Sequence, residues 1–209
     1  MTGEQTIRDL LVLVPDRNMR AAIQGFLTRH HSLGIRPVEA DVHVHPERDC
    51  GCRTAGVEYF RPFPNQYHYA LLMFDYEGCG TVSISPGLLE QQIENDLARA
   101  GWPERCAVVV IDPELEIWVW SDSPHVDEEL GWRGRTPTLR LWMETRGFWP
   151  TGQAKPRRPK EALEAALHEV RKPRSSAIYQ SLAEKVSLVR CEDRAFRRFR
   201  DILSKWFTG

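Results

Sequence analysis

Acidic residues follow three separate apolar runs in this chain. Residues 7–14 lead into Pro15-Asp16, residues 67–74 into Asp75-Tyr76-Glu77, and residues 106–111 into Asp112-Pro113-Glu114-Leu115-Glu116. A lone acid after a strand ordinarily caps the next helix or closes a turn. Three such clusters ask for more, because carboxylates gathered in one place repel unless a proton or a cation compensates them. Hard oxygen donors favour Mg²⁺ or Mn²⁺ over zinc. An extended Asp75-Tyr76-Glu77 puts both of its acids on one side.

These acids meet only if the runs before them are neighbouring parallel strands. Strands are expected over residues 7–14, 36–45, 67–74 and 106–111, the first rich in Leu and Val and the others in Val, Leu or aromatic residues. Between them, residues 17–30 carry Met19, Ile23, Phe26 and Leu27 at helical spacing. Ser85-Pro86 opens a helix that Gly101 ends. Alternating strands and helices predict an α/β domain with a mostly parallel sheet flanked by helices, and such sheets place their ligand crevice at the carboxyl ends of the strands. Residues 114–122 are aromatic and read as helical, residues 131–159 are rich in Gly, Pro and Arg, and helices are expected over 161–170 and 191–207. The division that follows is an α/β domain over 5–130 and a basic, helical C-terminal part over 131–209 packed on it.

The whole chain has 209 residues and a net charge of −1, but the halves differ. Residues 1–132 hold 10 Arg, no Lys and 21 acids, a net of −11, whereas residues 133–209 hold 18 basic residues and 8 acids, a net of +10. Either the halves attract each other, or one binds cations and the other a polyanion. Lys155, Arg157, Arg158 and Lys160 are the candidate phosphate contacts, and contacts of that kind track a nucleic-acid backbone without reading its sequence. No apolar run approaches the roughly 20 residues that span a bilayer, and the first residues lack a signal-peptide pattern. An odd set of five cysteines without framework spacing suits a reducing compartment, so the expected location is cytoplasmic.

Two further groups compete for attention. His43 and His45 share a face of a strand, and Cys50 and Cys52 would complete a zinc tetrahedron, although paired zinc cysteines usually have two residues between them. Trp118 and Trp120 are either core or base-stacking platforms, and aromatics just after an apolar strand are ordinarily core. Asp122 and His125 read as first-turn or capping residues. No phosphate-binding P-loop, nucleophile elbow or HExxH motif occurs.

MFDYEG at 73–78 after an apolar strand resembles the DxD-type motif of TOPRIM domains, with Glu77 in place of the second aspartate. The run VIDPELEIWVWSD resembles the P-x-x-E-x-W segment of small TOPRIM-like proteins of bacterial defence loci, among them RloB-type proteins and relatives of the overcoming-lysogenisation-defect nucleases. With HPERD (45–49), RPKEALEAAL (158–167) and KPRSSAIYQSLAEKVSL (172–188), the chain is most similar to the small TOPRIM-like component of the methylation-associated anti-phage defence system. That resemblance implies a Mg²⁺-dependent nuclease working with other defence-system proteins. It implies one or two metal ions on Asp75, Glu77 and an acid after the fourth strand, with a first-strand acid nearby. The P-x-x-E match favours Glu116 over Glu114, and Lys160 or Lys155 is the implied transition-state lysine. The family's first-strand Glu is absent, and Pro15 or Asp16 stands in its place. The alternative is a catalytically inactive TOPRIM-like subunit that acts only by interaction.

Overall fold

Four strands form one sheet whose neighbours all run parallel: β1 (Arg8–Val14), β2 (Ala40–Val44), β3 (Tyr67–Asp75) and β4 (Cys106–Ile111), in the order β2-β1-β3-β4. The computed structural model describes residues 7–81, 83–121, 123–188 and 191–208. Val12 lies opposite Val42 and Leu71, and Asp75 opposite Ile111, so β3 and β4 finish level with each other. The architecture is α/β, with a parallel sheet flanked by helices.

Alternate residues of the strands feed two cores, as a strand's period of two requires. Leu10, Val12, Leu71, Met73, Val109 and Ile111 pack on one face against α1 (Arg17–Leu27), α8 (Ser176–Lys185) and α9 (Arg194–Trp206), chiefly through Ile23, Phe26, Leu182, Phe196 and Phe199. Leu11, Leu13, Leu72, Phe74, Val108 and Val110 pack on the other face with Phe60 of α3 (Arg48–Phe60) and Leu89, Ile93 and Leu97 of α4 (Pro86–Arg99). The remaining elements are α2 (His30–Leu33), a 3₁₀ turn (Leu115–Trp118), α5 (Pro124–Glu129), α6 (Leu139–Thr145) and α7 (Pro159–Glu169). Among the described residues no helix is long and apolar enough to cross a membrane.

Local chemistry fixes the helix starts. Asp16 accepts a hydrogen bond from the Met19 amide at 2.9 Å, capping α1, and Asp193 does the same for Phe196 in α9. Ser85 caps α4, with Pro86 at its first position. The strand expected over 36–45 is shorter, because residues 35–36 pair with the end of the chain: Ile35 bridges Thr208, and the Arg36 amide donates to the Phe207 carbonyl at 3.0 Å. The helix expected over 17–30 ends at Leu27, and the one expected over 114–122 is only the short 3₁₀ turn. Trp118 and Trp120 are core: 7% and 1% exposed, they donate their indole N–H groups to Asp193 at 2.8 Å and to the Pro159 carbonyl at 2.9 Å.

Candidate acidic cleft

Past the ends of β3 and β4 the two chains stay side by side. The Tyr76 amide donates to the Ile111 carbonyl at 2.8 Å, and the Glu77 amide to the Pro113 carbonyl at 3.0 Å. This extension carries Asp75-Tyr76-Glu77 and Glu114 to the mouth of one cleft of about 490 Å³, which Asp49, Arg158 and Lys160 also line. Asp75 and Asp49 are tied together through the backbone: Asp49 Oδ1 accepts from the Asp75 amide at 2.8 Å, while Asp75 Oδ1 accepts from the Leu115 amide at 2.9 Å. Gly78 lies so close that a Cβ there would stand 2.7 Å from Asp49 Oδ2.

Among the described residues that line the cleft, carboxylates outnumber cations. Burial first, and the neighbouring carboxylates of Asp49, Glu116, Asp16 and Glu114 second, push the Asp75 carboxyl well above the usual range. Burial raises Asp49 as well. Glu114 is pushed up to about 7 by burial and by Glu116, against the opposing hydrogen bond from the Lys160 amide at 3.0 Å. The Lys160 ammonium is 4.0 Å from Glu114, and Arg158 is drawn to Glu161 at 3.2 Å.

The other candidates lie elsewhere. Asp16 is the α1 cap, and its charge reaches Asp75 only as one of several repulsions. Glu116, 2% exposed, is turned into a pocket of its own, where Arg174 and the Tyr179 hydroxyl (2.5 Å) both donate to Oε1. Arg174 also bonds Glu164 at 2.9 Å. Lys155 points its ammonium at the Ile117 carbonyl, 2.7 Å away, and Arg157 is exposed. Of the nine residues proposed as ligands, catalysts or phosphate contacts, Asp75, Glu77, Glu114, Arg158 and Lys160 thus share the cleft, and Asp16, Glu116, Lys155 and Arg157 do not line it. His125 follows its Ser123 cap in α5, and Asp122 lies outside the described residues.

Asp49 is the cleft residue that strand-end reasoning misses. It sits in the first turn of α3, and Pro46-Glu47-Arg48-Asp49 directly after a strand carries a helix-start signal. That same helix separates the zinc candidates. His43 Nδ1 is 2.7 Å from the Tyr59 hydroxyl, His45 Nδ1 accepts from the Glu47 amide at 3.1 Å, Cys50 is exposed, and Cys52 is fully buried with its thiol pushed far up by burial.

The donor set of the cleft is all carboxylate oxygen and carries uncompensated charge, which fits a hard divalent cation. Among the described residues no three His, Cys, Asp or Glu side chains form a ready-made metal cage. Mg²⁺ sites that act on phosphates usually need only one or two carboxylates, with water and substrate oxygens completing the shell. The residues present are compatible with that kind of site. Compared with known proteins, the chain matches no protein-family model, no curated protein and no solved structure.

Proposed function

We propose that the chain is a Mg²⁺- or Mn²⁺-dependent protein that cleaves phosphodiesters in nucleic acid, acting in anti-phage defence. The observation that supports the chemistry is the group of Asp49, Asp75, Glu77 and Glu114 around one cleft at the carboxyl end of a parallel sheet, with Lys160 and Arg158 on its rim. The defence setting rests on the TOPRIM-like resemblance alone, carried by residues 45–49, 73–80, 111–132, 158–167 and 172–188.

In this reading Asp75 and Asp49, held by backbone amides, are the fixed ligands, and Glu77 and Glu114 adjust around them. A divalent ion held by these carboxylates would supply water activation and charge neutralisation on a leaving oxygen. Lys160 and Arg158 orient the phosphate from the basic side. Without metal, burial and Glu116 push Glu114 up to about 7, so a cation taken up there would displace its proton. Arg157, exposed on the same segment, adds a phosphate contact.

The test incubates the purified chain with single- and double-stranded DNA and RNA in Mg²⁺ or Mn²⁺, with chelator and Asp75→Asn controls. Cleavage that needs the metal and Asp75 supports the reading. A folded chain that cleaves none of these and whose melting temperature ignores both metals overturns it. A second reading, a non-catalytic subunit that binds other defence proteins, is favoured by the engagement of Glu116 with Arg174 and Tyr179, which withholds an acid from the cleft. Co-purification with a partner by an otherwise inert chain is the result that selects it.

A further inference from the structure

β4 is an outer strand of the sheet, and its sequence is Cys-Ala-Val-Val-Val-Ile. An uncharged, proline-free, β-branched edge of this kind is a template for pairing with another chain. The backbone groups of Arg105 and Ile111 turn inward to β3: their carbonyls accept from the Ala70 and Tyr76 amides. By the alternation of a strand, the amides and carbonyls of Val108 and Val110 turn outward.

Those outward groups are occupied by side chains. The Val108 amide donates to Glu94 Oε1 at 2.8 Å, and the Val108 carbonyl accepts from Arg198 Nε at 2.9 Å. One step along, the Val110 amide donates to Glu90 Oε1 at 2.9 Å and its carbonyl accepts from Arg194 Nη2 at 3.0 Å. The two glutamates come from α4 on one face of the sheet and the two arginines from α9 on the other. They close on each other over the edge: Arg194 bonds Glu90 at 2.8 and 2.9 Å, and Arg198 bonds Glu94 at 2.5 Å. Each Glu–Arg pair thus presents one acceptor and one donor to β4, as a residue of a neighbouring strand would.

We infer that this ladder is a surrogate strand which prevents β4 from pairing with a second copy of the same chain. A second copy is the fitting occupant because the strand beneath the ladder has no charged residue or proline of its own and is identical on both molecules, so two β4 strands related by a two-fold axis meet antiparallel with matching side chains. Exposed sheet edges are commonly protected by single charges or by proline. Here the protection spans two layers and satisfies every outward group of Val108 and Val110. The inference is independent of the function proposed for the cleft.

The experiment compares the oligomeric state of the full chain by light scattering over a concentration series, alongside circular dichroism for folding. Arg194→Ala/Arg198→Ala is expected to dimerise at least about tenfold more tightly than the unmodified chain, a change of ~1.4 kcal/mol. Arg197→Ala/Lys205→Ala, altered on the same helix without touching those backbone groups, should behave like the unmodified chain. Adding Val108→Pro to the first variant removes an outward amide that makes no bond within the sheet, and should return it to monomer. A folded Arg194→Ala/Arg198→Ala that stays monomeric overturns the inference, as does a dimer indifferent to Val108→Pro. An unmodified chain whose self-association Val108→Pro abolishes overturns it too. If the double variant does not fold, Arg198→Ala alone decides on the same criteria.

Discussion

Acidic residues stand both along the edge of β4 and around its carboxyl end, and the two groups are treated differently. At the edge, Glu90 and Glu94 each lie against an arginine and a backbone amide, so their charges are fully engaged. At the end, Asp49, Asp75 and Glu114 have backbone amides for partners, and the one ion pair to them among the described residues is Lys160 to Glu114 at 4.0 Å; their carboxyls are all pushed upward. Burial alone does not separate the groups, since Glu90 is 2% exposed and Glu114 9%. The difference lies in how the charge is balanced. A buried carboxylate with a built-in arginine is part of the scaffold, whereas one without it is held ready for a proton or a cation.

The sharpest way to break this comparison is Asp75→Asn. In the cleavage assay it should lower the rate by about 10³-fold or more, ~4 kcal/mol at 1.36 kcal/mol per decade. The melting temperature should stay level or rise, because one repelling charge is gone. A parallel loss of fold and activity would make Asp75 a structural residue like Glu90. Next in size is cation binding: Mn²⁺ at a hundredfold its dissociation constant should stabilise the native chain by about 2.7 kcal/mol, read as a rise in melting temperature. The rise should vanish in Asp75→Asn and persist in Glu94→Gln.

On the other side of the comparison, Arg194→Ala takes from buried Glu90 its closer arginine and leaves Arg198, 3.4 Å away. Complete burial of such a pair would make the loss 3–5 kcal/mol, but Arg194 is about half exposed, so roughly 2 kcal/mol is expected in denaturant melts. Added divalent cation should not restore it. The smallest effect is a pH dependence. Between the ordinary glutamate value near 4.5 and about 7, native Glu114 holds more proton than the unfolded chain does, so stability falls as pH rises through that window. Glu114→Gln should remove roughly 1 kcal/mol of that fall, about 2–4 °C in melting temperature at pH 7.5. A variant with the same pH profile as the unmodified chain would place the titration elsewhere.

The sheet was legible because β1, β3 and β4 are buried on both faces, and a parallel strand so placed must be apolar throughout. Helix α3 was hidden for the opposite reason. Before Phe60 at its end, it meets the sheet through Cys52 and Gly56, small residues that leave no apolar stripe; at Gly56 a Cβ would stand 2.9 Å from Leu72. With α3 unseen, Asp49 was unseen too. The strand ends brought Asp75, Glu77 and Glu114 to one cleft, because the backbone extension past the sheet keeps them in step. Glu116 could not be sorted from Glu114 by spacing, since its direction depends on Arg174 and Tyr179, 58 and 63 residues away. The basic half likewise divides only in three dimensions: Lys160 faces the cleft, Lys155 serves a backbone carbonyl, and Arg194 and Arg198 guard an edge.

The placement of that guard has a consequence for synthesis on the ribosome. Arg194 follows the Val110 carbonyl it covers by 84 residues. At 5–20 residues per second the arginine is added about 4–17 s after the strand itself. Through that interval β4 has Glu90 and Glu94 but no arginine, and neighbouring nascent chains on one message carry the same half-covered edge. Slower translation downstream of β4 should therefore raise the fraction of chains lost to aggregation, while leaving the stability of finished molecules unchanged.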